Sequence, residues 1–262
     1  MTDIINPDLL QVLILTKNEE PNLVRVLERL RQIGKVVVLD SYSTDATLQL
    51  AESFTNVTVF QRQFDTHATQ WNYGLSLISS KWVLTLDADY VLTDEFIKET
   101  KAKILSNDQS AYSAKFNFLV FGQRLFADNT LPRPVLFKVS ECTYIDDGHT
   151  QRLVINGPEG SYKAHILHDD RKSLSRWLSN QDSYSIKECK KLTDPGVTAH
   201  TFSARIRKMK ILAPFLVFFH CLFVKRLIFN GWAGWHYTLQ RTMVEMILAL
   251  RMIEEENLSG KS

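Results

Sequence analysis

Four continuous apolar runs punctuate the first hundred residues, and between them apolar residues recur at helical spacing. Gln11 to Leu15, Lys35 to Leu39, Val57 to Phe60 and Trp82 to Leu86 are predominantly apolar and of strand length, the first reading as a buried strand. After the first run, Glu19, Glu20 and Pro21 give a helix-start signal. Leu23, Val26, Leu27, Leu30 and Ile33 then share one helical stripe, which Gly34 is expected to end. Ser43-Thr44-Asp45 predicts a cap for a helix to about Phe54. Thr66 to Ser80 reads as a further helix, and Thr93-Asp94-Glu95 opens another. Strands alternating with helices predict an α/β domain with a parallel sheet.

From Tyr112 the period shortens to two. Tyr112, Ala114, Phe116, Phe118 and Val120 alternate with wetter positions, as a strand with one polar face does. Pro134 to Val139 and His165 to Leu167 predict two more strands. Leu174 to about Leu192 predicts a helix with Trp177, Leu178 and Tyr184 inward. The expected organisation is a domain over residues 1–193, with halves 1–110 and 111–193, followed by a helical tail over 194–262.

Composition narrows the function. Lys and Arg number 31 against 29 Asp and Glu, a net charge of +2, so no bulk basic field points to nucleic acid. The three cysteines are too dispersed for a disulfide framework or thiolate zinc site, which fits a reducing compartment. The opening Met1 to Pro7 shows no basic region followed by an apolar run, so no secretory leader is expected.

Ligands of parallel sheets bind beyond the carboxyl ends of the strands. Three polar clusters fall at those ends: Thr16-Lys17-Asn18-Glu19, Asp40 to Asp45, and Asp87-Ala88-Asp89. Two carboxylates spaced i, i+2 can share Mg²⁺ or Mn²⁺ with a substrate's phosphates, or can simply close a turn. Asp40 and Asp45 can accept from a base or ribose, or can cap the following helix.

Leu13-Ile-Leu-Thr-Lys-Asn-Glu-Glu20, Val38-Leu-Asp-Ser-Tyr-Ser-Thr-Asp-Ala-Thr47, and Gln70-Trp-Asn72 followed by Trp82-Val-Leu-Thr-Leu-Asp-Ala-Asp89 resemble, in order and spacing, three motifs of family 2 glycosyltransferases. The chain is most similar to the subgroup of bacterial lipopolysaccharide-core β-1,4-glucosyltransferases. That resemblance implies a GT-A fold, a Rossmann-like nucleotide-binding sheet merged with an acceptor-binding half. It implies that Thr16 and Glu19 hold the nucleoside, that Asp40 lies near the base, and that Asp87 and Asp89 hold the metal and diphosphate. His168 resembles a third metal ligand, and Arg171 with Lys172 is suited to the leaving diphosphate. Tyr42 stands where glycine is common in the family, and Tyr90 where Glu is common in the subgroup.

Inverting transfer needs a base for the acceptor hydroxyl. The family supplies an acid near Asp146-Asp147-Gly148-His149-Thr150, and Asp147, beside Gly148, is the preferred candidate over Asp146. His149 is expected to orient the acceptor. The implied reaction takes a UDP-hexose to a lipid-linked saccharide of the cell envelope, at the cytoplasmic face of a bacterial inner membrane. Transfer to a polyprenyl phosphate is the enzymatic alternative. A non-catalytic, membrane-associated nucleotide-sugar-binding module is the alternative from another class.

The tail carries its own signal. Eight basic residues lie between Arg205 and Arg251 against one acid, Glu245. Ile211 to Val224 is apolar except for His220, yet shorter than the roughly 20 residues that span a bilayer. One or two amphipathic helices lying on an anionic membrane are expected, the second with Leu239, Met243, Met246, Leu250 and Ile253 on one stripe. The same stripe would serve packing on this chain or on a second copy.

Overall fold

The computed structural model describes residues 4–126, 131–147, 150–193 and 202–259. The chain forms two compact units, one from residues 1–119 and 128–171, the other from 120–127 and 172–262.

In the first unit, β1 (Leu10–Thr16), β2 (Val36–Asp40), β3 (Val57–Gln61) and β4 (Trp82–Asp87) are parallel and ordered β3-β2-β1-β4. They are joined through α1 (Glu20–Arg29), α2 (Thr47–Glu52) and α3 (His67–Ser76), as parallel strands require. The short β5 (Tyr90–Val91) and α4 (Asp94–Ser106) come next. The sheet continues through β6 (Ala111–Val120) and β8 (Arg133–Lys138), with the two-residue β7 (Gln123–Arg124) between them in sequence. A hairpin of β9 (Cys142–Asp147) and β10 (Thr150–Ile155) precedes β11 (Glu159–His168). Beyond β4 the order is β8-β6-β11-β5. There β8 is antiparallel to both β4 and β6, so the sheet is mixed.

Alternation along the central strands builds two cores. Val12, Ile14, Val36 and Val38 face one way, onto Leu23 and Val26 of α1 and Phe96 and Ile97 of α4. Leu13, Val37, Leu39 and Val83 face the other way, onto Trp71 and Leu75 of α3 and Tyr144 of the hairpin. Helices on both faces explain the unbroken apolar runs. Gly74 permits the close approach of α3 to the sheet, because a Cβ there would lie 2.7 Å from Leu13.

Helix ends differ from expectation in detail. α1 stops at Arg29, capped at Leu30, and Gly34 instead fits under Ile5 and Pro7, where a Cβ would meet the Ile5 carbonyl at 2.7 Å. α2 begins only at Thr47, after an Ala46 cap with no side-chain hydrogen bond. Ser43 and Asp45 are occupied elsewhere, as described below. α3 is shorter than predicted, with Thr66 and Thr69 forming a reciprocal capping box.

The second unit holds α5 (Leu174–Thr193), α6 (Phe202–Lys208), α7 (Leu212–Phe219) and α8 (Gly231–Ser259). It therefore takes in α5, which the expected boundary at residue 193 assigned to the first domain. Cys189, Leu192, Leu248 and Met252 form its core. The inward face of α5 is Ser185, Cys189 and Leu192, whereas Leu178 and Tyr184 are exposed. Periodicity groups residues on a stripe without saying which stripe meets a neighbour, and here Ser185 accepts from Arg251 Nε of α8 at 2.6 Å. Among the described residues no single helix is long and apolar enough to cross a membrane. The pair Leu212–Val224 and Leu227–Leu258, bent by 71°, meets that test by length and composition together.

Candidate active site

The loops after β1 and β2 are sewn together side by side. Asp40, fully buried at the end of β2, accepts from Thr16 Oγ1 (2.9 Å), Ser43 N (2.8 Å) and Gln61 Nε2 (3.3 Å). Asn18 N donates to Ser43 Oγ at 2.7 Å, and Asn18 Oδ1 accepts from Thr44 N at 2.6 Å. Glu19 N donates to Thr47 Oγ1 at 2.7 Å. Asp45 accepts from Thr47 N (3.1 Å) and Glu20 N (3.4 Å), which holds the first turns of two helices. Gln70 of α3, fully buried, donates to Ser41 Oγ at 3.2 Å and braces the same turn from below. Thr16, Glu19 and Asp40 are thus brought together at the carboxyl rim, with Asp40 shaping the turn from inside.

The end of β4 supplies the second group. Leu15 pairs with Asp87, so Asp87 emerges beside the first loop. The Tyr90 hydroxyl bears on the Asp87 carboxylate and acts to lower its pKa. The Tyr90 ring lies between Phe116, at 4.8 Å, and the edge of His168, at 5.2 Å. Asp89 Oδ2 is 3.3 Å from His168 Nε2. Asp87 reaches solvent, but surrounding protein strips much of its hydration. That loss, and then the charge of Asp89, raise its pKa above the ordinary carboxylate value, with Tyr90, His168 and Arg133 pulling the other way. Burial pulls the His168 imidazole down, and the hydrogen bond and charge of Asp89 outweigh it, so the net shift is upward.

A third group ties β11 to α1. Asp169, buried, binds Arg25 Nη1 at 2.7 Å and Arg171 Nη2 at 2.8 Å. Asn22, buried on α1, accepts from Arg171 N at 2.9 Å and donates to Glu19 Oε2 (3.0 Å) and Asp170 Oδ1 (2.9 Å). Asp169 N donates to the Asp89 carbonyl at 3.1 Å. A continuous network therefore runs from the first loop to the Asp89 turn. Asn22 and Arg25 were not legible as site residues, since on sequence they read only as polar positions of an amphipathic helix.

A cavity of about 400 Å³ opens beside Asp87, lined by Tyr90, Arg133, Trp71, Tyr144 and Gln151 among others. Arg133, on β8, is the cation that bears on Asp87 and Tyr90. Arg171, the cation expected there, is instead bonded to Asp169 through Nε and Nη2. Trp71 stacks on Tyr144 at 5.5 Å. Asn72 clamps the hairpin through both backbone groups of Tyr144, donating to its carbonyl at 2.8 Å and accepting from its N–H at 2.9 Å. On this hairpin Asp146 is exposed and pairs with Gln151, as Tyr144 pairs with Leu153. Opposed and alternate residues of an antiparallel pair share a face, so Asp146 lies on the cavity-lining face of β9. Asp147 closes β9, while its side chain and His149 lie outside the described residues.

Comparison with known proteins agrees with this geometry. Residues 11–135 match the model of glycosyl transferase family 2. An uncharacterized glycosyltransferase of Rickettsia felis is 25% identical over 236 residues, 84% of this chain and 81% of that one. The lipopolysaccharide core biosynthesis glycosyltransferase LpsC of Rhizobium meliloti is 29% identical over 101 residues, 37% of each chain. Residues 1–349 of S. aureus TarS, solved with UDP-GlcNAc, share the fold at a TM-score of 0.50 and 16% identity, over 96% of this chain and 92% of that one. The sheet is a GT-A fold, and residues 11–135 are similar to the glycosyl transferase family 2 domain.

Proposed function

We propose that this protein is an inverting glycosyltransferase that moves a hexosyl unit from a UDP-sugar to a saccharide carried on a lipid of the bacterial cell envelope. The observation that carries the reading is the placement of two stitched loops, a paired carboxylate turn and an aromatic-walled cavity along one strand-end rim. Such a rim is where doubly wound sheets take nucleotides. Thr16, Glu19 and the turn shaped by Asp40 would receive the nucleoside, and the cavity would receive the sugars.

The donor set fits a divalent cation, Mg²⁺ or Mn²⁺, shared with substrate. Among the described residues no three His, Cys, Asp or Glu side chains are grouped to hold a metal by themselves. Asp87 and Asp89 offer oxygen donors two residues apart, at and just beyond the end of β4. Mg²⁺ in particular is commonly held by one or two carboxylates plus phosphates. Asp87 and Asp89 would hold the ion, with His168 orienting Asp89. When bound, it supplies positive charge for the departing diphosphate. Arg133, which lines the cavity and bears on Asp87, is the cation for the same charge, since Arg171 is bonded to Asp169.

Asp146 is the base we favour for the acceptor hydroxyl, because its register partner Gln151 lines the cavity. A phosphorylated acceptor, such as a polyprenyl phosphate, is the second reading, favoured by Arg133 and Arg152 both lining that cavity. Such an acceptor is already an anion and needs no base. Asp146→Asn should therefore abolish transfer to a hydroxyl and spare transfer to a phosphate.

The second unit supports work at a membrane surface. Phe229 is 74% exposed and Trp232 56% exposed, and the predicted stripe of Leu239, Met243, Met246 and Leu250 is exposed as well. Lys225 and Arg226 lie in the bend between the helices, suited to anionic headgroups. We place the enzyme at the cytoplasmic face of the inner membrane. UDP release from UDP-hexoses by detergent-solubilised protein, with lipid-linked saccharide added, tests the reading. Asp89→Ala or removal of divalent cations should abolish it.

A further inference from the structure

Two non-glycine residues in the paired loops hold a left-handed backbone, Asn18 at φ 55° and Tyr42 at φ 60°. Asparagine visits that region readily, whereas a bulky side chain there is strained. Tyr42 is fixed in place from both sides. The Lys17 ammonium donates to the carbonyls of Ser41 and Tyr42. Ser41 is braced by Gln70, and Ser43 is tied to Asp40. The ring is not drawn inward as compensation, since Tyr42 remains 49% exposed. A relaxed residue such as glycine or asparagine would satisfy the same backbone bonds. Strain kept by a scaffold that over-determines it, at a ligand rim, is a mark of function.

We propose that the Tyr42 ring stacks on the base of the nucleoside diphosphate and sets how tightly the donor's nucleotide is held. The inference rests on the donor-site reading above. A base has two apolar faces that the hydrogen-bonding groups of Thr16 and Glu19 cannot cover. An exposed aromatic ring beside them can, and such stacking strengthens binding several-fold to a hundredfold per base.

The test is UDP binding with Mn²⁺ by titration calorimetry for the wild type, Tyr42→Phe, Tyr42→Asn and Tyr42→Gly, with melting temperatures for each. Phe should bind UDP within twofold of wild type. Asn and Gly should bind about tenfold more weakly while melting at or above the wild-type temperature, because both accept the left-handed backbone. Asn or Gly binding UDP as tightly as wild type would overturn the inference, and so would Phe losing as much as Asn. A wild-type chain that binds no UDP would instead overturn the donor-site reading itself, and this inference with it.

Discussion

Asp40 has no surface to offer a ligand, yet four donors from both loops and β3 converge on its carboxylate. Replacing it with Ala strands Thr16 Oγ1 and Ser43 N inside the protein, which should cost about 2–4 kcal/mol. Thermal unfolding checks this, and UDP affinity should fall with it. Arg133 tests the chemistry more sharply. Arg133→Ala should lower kcat at least tenfold and leave the melting temperature within a few degrees, because the side chain is exposed at the cavity. Arg171→Ala should instead act mainly on stability, because its guanidinium binds the buried Asp169. The acidic motif residues were legible as strand-end clusters because each follows directly on an apolar run. Arg133 was not, because nothing local in Leu131-Pro-Arg-Pro134 says that β8 will lie antiparallel beside β4.

Elements show the same division. The central parallel strands β1, β2 and β4 could be read directly, since burial on both faces leaves no polar phase to confuse the pattern. The β9–β10 hairpin escaped notice because its face toward the cavity is itself polar, with Asp146 and Gln151 where a core strand would carry apolar groups. What holds the hairpin is a distant residue, Asn72. Asn72→Ala should therefore lower kcat more than it raises the donor KM, as steady-state kinetics would show. On the other side of the sheet, β11 carries a register shift between Ser161 and His165. Glu99 of α4 accepts the Lys163 and Ala164 N–H groups there, at 2.9 Å and 2.8 Å. Partial burial raises its pKa, but those two bonds and Lys103 outweigh it, so the net shift is downward. A depressed pKa contributes stability above the ordinary glutamate value of about 4.3, lost as pH falls through the folded-state value. Glu99→Gln should remove that part of the acid limb in a melting-temperature profile against pH.

At the scale of the whole molecule, the basic, aromatic tail was legible as helices, and of its predicted stripe Leu239, Met243, Met246 and Leu250 are exposed while Ile253 is half-buried. The inward side was harder to read, because it is built partly from polar groups. Arg207 bridges Glu188 and the buried Glu245, an arrangement that hydropathy scores as surface. If the exposed face meets lipid, sedimentation with vesicles should require anionic lipid and weaken as salt rises. Trp232→Ser with Phe229→Ser should reduce it further at any salt. Binding equal on neutral vesicles would remove the electrostatic part of the proposal.

The central claim, that the strand-end rim is a UDP-sugar site using Asp89, is tested most directly by the melting temperature with UDP, with and without Mn²⁺. A ligand bound only by the native state at about 100 times its Kd adds roughly 2.7 kcal/mol, several degrees for a chain of this size. The account predicts such a rise with UDP and Mn²⁺ together, a smaller one without metal, and no added effect of Mn²⁺ in Asp89→Ala. No rise with any nucleotide, or an equal rise in Asp89→Ala, would contradict it.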